Sequence, residues 1–211
     1  MRVLVACEFS GVVRDAFAAR GHDTWSCDLL PTEKSGQHYQ QDIMEVIGYD
    51  WDLMIAHPPC TYLANSGVFW FYHPDDKHLP VNERRAHPRY PDRRQDQQQA
   101  IEFFIGLHDA PIEKIAIENP VGVLSTIFRK PDQIVHPYMF GHEMSKATCL
   151  WLKNLPKIVP TSIVGKGDFL VSKSGKRGAK WNWGLSPSED RWKIRSRTFQ
   201  GIADAMAGQW G

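Results

Sequence analysis

The chain has 211 residues, of which 42% are hydrophobic and 23% are charged. This composition excludes a disordered chain, and no apolar run reaches the roughly 18 residues that a membrane helix needs. The net charge of +1 conceals an asymmetry, because residues 151–211 carry 11 basic and 4 acidic side chains whereas residues 1–150 carry 14 and 20. The basic C-terminal part indicates either a polyanionic partner or a solvated surface loop, and charge alone favours neither.

Four cysteines are spread along the chain without the spacing of a disulfide framework or a zinc finger, at Cys7, Cys27, Cys60 and Cys149. The apolar run at the N-terminus is too short for a signal peptide, and an acidic residue follows it too closely. We therefore expect a reduced, cytoplasmic protein with no membrane partner.

The first half of the chain alternates short apolar runs with helical patterns. Residues 2–7 predict a buried strand, and residues 11–20 predict a helix that ends at Gly21. Strands are also expected over residues 23–30 and 51–57, with a short element at 41–47 between them. This alternation predicts an α/β fold with a largely parallel sheet, in which ligands bind beyond the carboxyl ends of the strands.

The second half holds fewer regular patterns. Residues 64–94 show no periodicity, which is typical of a functional or mobile segment. Further along the chain we expect a helix over 92–108, strands over 114–120 and 148–152, an irregular basic stretch over 160–197, and a docking helix over 198–210. His73, His78 and His87 lie within the aperiodic residues 64–94. Their spacing matches no common zinc site, so no metal is expected.

Two predicted strand ends carry reactive side chains. Cys60 follows a strand and two prolines, and a thiolate there is a nucleophile if a neighbouring group lowers its pKa. Glu118 emerges from an apolar strand, so we expect desolvation to raise the pKa of its carboxyl and make it a proton donor. The plainer alternatives are a small buried cysteine and an ordinary carboxylate at a sheet end, and the other three cysteines are expected to be buried hydrophobes.

Together these strand ends carry a resemblance. Pro58-Pro59-Cys60 and Glu118-Asn119-Pro120 resemble the paired motifs of the cytosine-C5 DNA methyltransferases. Phe9-Ser10-Gly11 is similar to that family's first cofactor motif, and Gln41-Asp42-Ile43 is similar to its Gly-Asp-Ile motif. Asp28 stands where the family has the acidic residue that binds the cofactor's ribose. The order matches over roughly residues 2–120 and is closest to short phage- and prophage-type members.

The resemblance implies a Rossmann-like fold that binds S-adenosylmethionine and transfers its methyl group to C5 of cytosine in DNA. It implies that Cys60 attacks C6 of the base and that Glu118 binds the ring at N3 and at the exocyclic amine. The implied cofactor-binding residues are Phe9, Ser10, Gly11, Asp28, Asp42 and Pro58. The last helix would stand in for the family's final cofactor motif.

The chain also departs from the family. A further glycine pair after Gly11 is missing, as is the Gln-x-Arg-x-Arg motif whose arginine contacts the base carbonyl. Lys146, which precedes a predicted strand, is the first candidate to replace that arginine, and the segment Arg195-Ser196-Arg197 is the second. The family's large target-recognition region is absent, which leaves the basic tail and residues 64–94.

Nucleic-acid contacts are therefore expected from the basic tail, at Lys173, Lys176, Arg177, Lys180, Arg195 and Arg197. Trp181 and Trp183 are candidates for base stacking or for packing onto the body of the protein. A second strip of Arg84, Arg85, Arg93 and Arg94 is expected either to contact phosphates or to be a solvated surface.

These inferences divide the chain into three parts: a catalytic and cofactor-binding α/β domain over residues 1–159, a basic segment over 160–197, and a helix over 198–211 that packs back on the domain. Three alternatives stay open: C5 modification of a free pyrimidine nucleotide, use of a modified S-adenosylmethionine, and a catalytically silent nucleic-acid-binding protein. An NAD enzyme is disfavoured because no Gly-x-Gly-x-x-Gly follows the first strand.

Overall fold

The computed structural model describes residues 1–173, 175–186, 188 and 190–211, with the backbone alone at position 182. In this part of the chain, seven strands form one sheet and two more form a separate hairpin. The sheet strands are β1 (Arg2–Ala6), β2 (Asp23–Asp28), β3 (His38–Gln40), β4 (Leu53–Ala56), β5 (Lys114–Pro120), β6 (Gln133–Val135) and β7 (Thr148–Lys153). The hairpin consists of β8 (Phe169–Val171) and β9 (Arg177–Ala179).

The described helices are α1 (Val12–Ala18), α2 (Arg93–His108), α3 (Leu124–Ile127), α4 (Lys180–Trp183), α5 (Arg191–Ser196) and α6 (Gln200–Trp210). None of the helices in the described residues is both long and apolar enough to cross a membrane.

The sheet order is β3-β2-β1-β4-β5-β7-β6. The first five strands in that order pair in parallel, and β7 runs antiparallel to both of its neighbours. The prediction of an α/β fold with a largely parallel sheet is therefore confirmed. Parallel pairing brings the carboxyl ends of β1, β2, β4 and β5 to one edge of the sheet.

Both faces of the sheet are covered, because successive residues of a strand point to opposite sides. On one face Val3 and Val5 pack with α1 and α6, and Met206 and Trp210 fill that layer from the last helix. On the other face Leu4 and its neighbours pack with α2 and with the ring of Trp151, which is fully buried. The expected C-terminal helix is present and packs on α1.

Some elements differ from the sequence-based expectation. The strands β3 and β6 were not expected, because three residues are too few to show a periodic pattern. The short element at 41–47 is a 3-10 turn, Ile43–Glu45, that the Asp42 side chain caps by accepting from the N–H of Met44. The stretch at 160–197 is less irregular than predicted, since it contains the β8–β9 hairpin and the helices α4 and α5.

Residues 65–92 fold without long elements, as their sequence predicts. Three short 3-10 helices, Asn65–Phe71, Pro74–His78 and Val81–Glu83, follow one another. The carboxylate of Asp76 is almost fully buried and accepts three hydrogen bonds from Arg85, of 2.6 to 2.9 Å. These hydrogen bonds join two parts of the segment that are nine residues apart in sequence.

Candidate active site

The ends of β4 and β5 lie side by side at the carboxyl edge of the sheet. Residues 57–60 follow β4, and Glu118 and Asn119 lie near the end of β5. The Asn119 side chain is buried, and its Nδ2 donates to the carbonyl oxygen of Pro58 at 2.9 Å. This hydrogen bond joins the two sequence motifs directly, so the chain that carries Cys60 is held against the strand that carries Glu118.

Cys60 is exposed and begins a turn in which its carbonyl oxygen accepts two backbone N–H groups. Although the residue reaches the surface, desolvation by the surrounding chain raises the pKa of its thiol, and the charge of Glu118 raises it further. The positive charges of Lys146 and Arg195 act in the opposite direction. The resting thiol is therefore protonated, and thiolate formation depends on these two basic side chains.

Glu118 is held as a carboxylate. Its side chain is 13% exposed, and the Nδ1 atom of His57 lies 3.2 Å from its Oε2. Burial pushes the pKa of this carboxyl upward, but the charge of Lys146 and the hydrogen bond from His57 outweigh burial, so the pKa lies below its ordinary value. The expectation of a raised pKa is therefore wrong. The apolar strand correctly indicates that Glu118 is buried. It does not reveal Lys146 and His57, which only the tertiary structure brings near the carboxylate.

Lys146 reaches the same edge from the segment before β7. Its Nζ donates to the carbonyl oxygen of Arg195 at 3.2 Å, and its charge acts on both Cys60 and Glu118. The two candidates for the missing arginine are thus neighbours, and both act electrostatically on the thiol that the sequence singles out.

The predicted cofactor motif forms the tight connection from β1 into α1. Phe9 and Ser10 are buried in it, and Gly11 has φ = 69°, a left-handed backbone conformation that favours glycine. The buried carboxylate of Glu8 accepts the N–H groups of Val13 and Arg14 at 2.7 and 3.1 Å. Glu8 therefore satisfies donors in the first turn of the helix and fixes the connection in place.

The two predicted cofactor carboxylates lie near the end of β1. Asp28 ends β2 and is half-buried, and desolvation raises the pKa of its carboxyl. Asp42 is exposed at the start of the 3-10 turn that follows β3. Burial raises the pKa of the Cys7 thiol, and the negative charges of Asp28 and Asp42 add to this effect, so both carboxylates lie within electrostatic reach of the same atom.

Residues 190–199, here called the C-terminal strap, cross this edge of the sheet. The Arg197 guanidinium donates two hydrogen bonds to Glu33, of 2.9 and 2.7 Å, and the Trp192 ring lies 5.8 Å from the Phe9 ring. Between the strap and the strand ends remains a cavity of about 40 Å³. Its lining consists of Cys7, Glu8, Phe9, Ser10, His57, Ser196, Arg197 and Thr198.

The sequence resemblance assigns two acceptor carboxylates at this edge to S-adenosylmethionine. Asp28 and Asp42 offer acceptors that suit ribose hydroxyls and an adenine amino group, whereas the missing Cβ of Gly11 makes room for the buried guanidinium of Arg14. The cavity as found, about 40 Å³, has room for water but not for a molecule the size of S-adenosylmethionine. Asp28 and Asp42 do not line this cavity, and a ligand the size of S-adenosylmethionine would enter it only if the C-terminal strap moved.

The β8–β9 hairpin region carries four of the predicted nucleic-acid contacts. Lys173 and Lys176 are exposed, whereas Arg177 packs over the Phe169 ring at 4.2 Å and Lys180 pairs with Asp168 at 3.0 Å. The Trp181 indole donates to the carbonyl oxygen of Ser145. It therefore packs this region onto the chain next to Lys146. Trp183 is half exposed and its ring lies against Gly178.

Three residues of the proposed arginine strip have structural roles, and one of them, Arg84, donates to the carbonyl oxygens of Leu79 and Lys77. Arg93 is buried, donates to the carbonyl oxygen of Thr61 and lies over the ring of Tyr62. Arg85 is bound to Asp76. The expectation of four exposed arginines is therefore wrong for Arg93, whose guanidinium faces aromatic rings that the sequence does not reveal as its neighbours.

Three important residues were missed in the sequence. His57 is next to Glu118, Glu8 caps α1, and the fully buried Arg14 binds two backbone carbonyl oxygens of the segment after β2. His57 had a signal, since it directly precedes the Pro-Pro-Cys motif. Arg14 had none, because an arginine in an amphipathic helix normally indicates a solvated face.

No protein-family model matches the chain, and no curated protein is similar to it.

Proposed function

We propose that the chain is a cytosine-C5 methyltransferase that acts on DNA with S-adenosylmethionine as methyl donor. The observation that carries this proposal is the hydrogen bond between Asn119 and Pro58, which holds the Pro-Pro-Cys and Glu-Asn motifs together at the ligand-binding edge of a parallel sheet. Without that contact, the two motifs would be separate coincidences of sequence.

The sheet topology supports the same proposal. A doubly wound dinucleotide-binding sheet has the order 3-2-1-4-5-6 with parallel strands. Here an antiparallel strand, β7, is inserted between β5 and β6. A mostly parallel sheet of this kind is consistent with the Rossmann-like, S-adenosylmethionine-dependent fold that the sequence resemblance implies.

The residues at the edge account for the chemistry of the base. Carbon C5 of cytosine is a poor nucleophile until C6 is attacked, and Cys60 is the exposed thiol that would make this attack after losing its proton. Glu118 would bind the exocyclic amine and N3, and would stabilise charge that develops on the ring. Lys146 and Arg195 would favour the thiolate, because both lower the pKa of Cys60.

The residues that would hold the cofactor are those at the ends of β1 and β2 and at the turn after β3: Phe9, Ser10, Gly11, Asp28 and Asp42. When bound there, S-adenosylmethionine supplies the methyl group. The C-terminal strap would exclude water from the same place by covering it.

Modification of a free pyrimidine nucleotide is a second candidate. It is favoured by the internal use of basic groups that were expected to contact DNA, since Arg197 binds Glu33 and Lys180 binds Asp168. DNA binding that weakens steeply with salt would support the first candidate, and the absence of DNA binding would support the second.

The direct test is trapping of the covalent intermediate on DNA that contains 5-fluorocytosine in place of cytosine. Fluorine at C5 cannot leave as a proton does, so the bond between Cys60 and C6 would persist after methyl transfer. We expect a stable protein–DNA adduct with S-adenosylmethionine present, located by mass spectrometry at Cys60. The Cys60→Ala variant should give none, and the absence of an adduct from the unaltered chain would contradict the proposal.

A further inference from the structure

His57 stands between two features of the site. Its Nδ1 atom is 3.2 Å from Oε2 of Glu118, and its ring also lines the cavity under the C-terminal strap. Its side chain is 7% exposed. The hydrogen bond ties the ring to the carboxylate that would bind the base, whereas the cavity lies toward the end of β1.

The hydrogen bond fixes which nitrogen of His57 carries the shared proton. Glu118 rests as a carboxylate and can only accept, so Nδ1 donates to it. The opposite nitrogen, Nε2, is buried and has no hydrogen-bond partner among the described residues. An unpartnered buried polar atom is costly and calls for an explanation such as a ligand or an ordered water.

The cavity supplies that explanation. The ring of His57 lines this cavity of about 40 Å³, which has room for water, and Nε2 is the ring nitrogen that Glu118 does not engage. The charged or titratable groups that share the cavity with His57 are Cys7, Glu8 and Arg197. Glu8 is satisfied by backbone N–H groups of α1 and Arg197 by Glu33, so neither is bonded to Nε2.

Cytosine creates a need for a proton at Glu118. The N3 atom of cytosine is an acceptor, and a carboxylate is an acceptor too, so the two repel until one of them is protonated. Glu118 has no proton of its own at rest. His57 can supply this proton, because it donates a hydrogen bond to Glu118 and also lines a cavity with room for water.

We propose that His57 is a positioning residue that relays a proton from the cavity to Glu118 when cytosine binds. A proton taken up from bulk solvent passes through water in the cavity to Nε2, and the Nδ1 proton passes to the carboxylate of Glu118, so the water is restored and one proton is taken up overall. The imidazole ends neutral with its hydrogen on Nε2, and Glu118 ends protonated and able to donate toward N3. Departure of the base reverses both transfers. This inference rests on the proposed function for the identity of the base.

The test compares two variants of His57. His57→Asn keeps an N–H that can bond Glu118 but cannot relay a proton, and His57→Ala leaves a void beside Glu118. We expect both to lower kcat for cytosine modification by about 10²-fold, the usual contribution of a positioned acid–base group. Added imidazole should restore a large part of the activity of His57→Ala and none of that of His57→Asn. Full activity of His57→Asn, or no rescue of His57→Ala, would overturn the relay.

A second measurement needs no turnover, so it separates failure of the relay from failure of the proposed function. In protein with ¹⁵N-labelled histidine, the His57 ring should show a hydrogen on Nδ1, and Nε2 should exchange protons with water rapidly. A hydrogen resting on Nε2, or slow exchange there, would overturn the relay even if the chain modifies DNA. If the unaltered chain modifies no base, the proposed function fails, and this measurement alone decides whether His57 connects the cavity to Glu118.

Discussion

At the scale of single residues, the site is governed by the balance between burial and two basic side chains. Desolvation acts to raise the pKa of both Cys60 and Glu118, and Lys146 opposes it at both. One lysine therefore sets the ionisation of the proposed nucleophile and of the carboxylate that would bind the base. This makes Lys146 a sharper target for mutation than its surface position suggests.

Replacing Lys146 with Met should slow alkylation of Cys60 by iodoacetamide at neutral pH severalfold. The reason is that loss of the positive charge raises the pKa of the thiol, which lowers the fraction of thiolate. Lys146→Arg keeps the charge and should react at nearly the unaltered rate. The rate is measured by mass spectrometry of the peptide that contains Cys60, and equal rates for the Met variant and the unaltered chain would refute the electrostatic role.

The sequence predicted some of these residues and not others, for a physical reason. Cys60 follows an apolar strand and Glu118 lies near the end of another. A sequence pattern is enough to place such residues at the carboxyl edge of the sheet. The role of His57 depends on a contact with Glu118, which is 61 residues away. Contacts of that range come from strand order, and one sequence does not contain strand order as a local pattern.

At the scale of elements, two surface segments are fastened by ion pairs. Asp76 and Arg85 hold residues 65–92, and Glu33 and Arg197 hold the C-terminal strap. Neither segment has a long helix or strand of its own, so its order depends on such side-chain bonds. The sequence predicted the irregularity of 65–92 but not its fastening, because arginine and aspartate nine residues apart have no regular geometry in an irregular stretch.

Asp76→Asn should destabilise the segment at neutral pH and not in acid. Hydrogen bonds from Arg85 hold the pKa of Asp76 well below its ordinary value of about 3.9, so the folded state gains stability above that pH and loses it as pH falls through the depressed value. We expect the urea midpoints of the variant and the unaltered chain to differ at pH 7, to begin to converge below about pH 4, and to meet only as pH reaches the depressed pKa. The exposed neighbour is the control, and Asp75→Asn should match the unaltered chain. A difference that persists undiminished in acid would rule out the charge-based explanation.

Breaking the pair of Arg197 with Glu33 should speed the association of S-adenosylmethionine. The strap covers a cavity too small for the cofactor, so opening precedes binding, and Arg197→Met removes two of the bonds that oppose opening. Trp192 lies on Phe9 and reports this event by stopped-flow fluorescence. Glu33→Gln should act in the same direction. Lys193→Met, which breaks a pair and a ring contact within the strap, changes the Trp192 signal but should leave the association rate unchanged. An unchanged association rate in Arg197→Met would mean that the strap does not limit entry.

At the scale of the whole molecule, the fold follows from the alternation of strands and helices that the sequence displays. Apolar runs of four to seven residues, separated by helical patterns, leave a layered sheet as the arrangement that buries both kinds of element. The position of the antiparallel β7 between β5 and β6 was not predictable, because strand direction depends on connections that have no signature in composition. The last helix closes one face of the sheet by packing on α1, so it belongs to the core.

Trp210→Ala should therefore lower the free energy of unfolding by about 3–5 kcal/mol, as the loss of a large buried aromatic side chain does. The Trp210 ring is 4% exposed, and its Nε1 donates to the carbonyl oxygen of Pro156. Trp192→Ala is the matched control, and because that ring is 51% exposed the cost should stay below about 1 kcal/mol. Urea unfolding measures both, and equal costs would show that α6 is not part of the cooperative core.

The central claim is that this edge of the sheet methylates cytosine through Cys60. It is tested most directly by nucleoside mass spectrometry on DNA from cells that express the unaltered chain, Cys60→Ala or the buried-cysteine control Cys27→Ala. We predict new 5-methylcytosine with the unaltered chain and the control, and none with Cys60→Ala. No modified cytosine with the unaltered chain, or equal amounts with and without the Cys60 thiol, would contradict the claim.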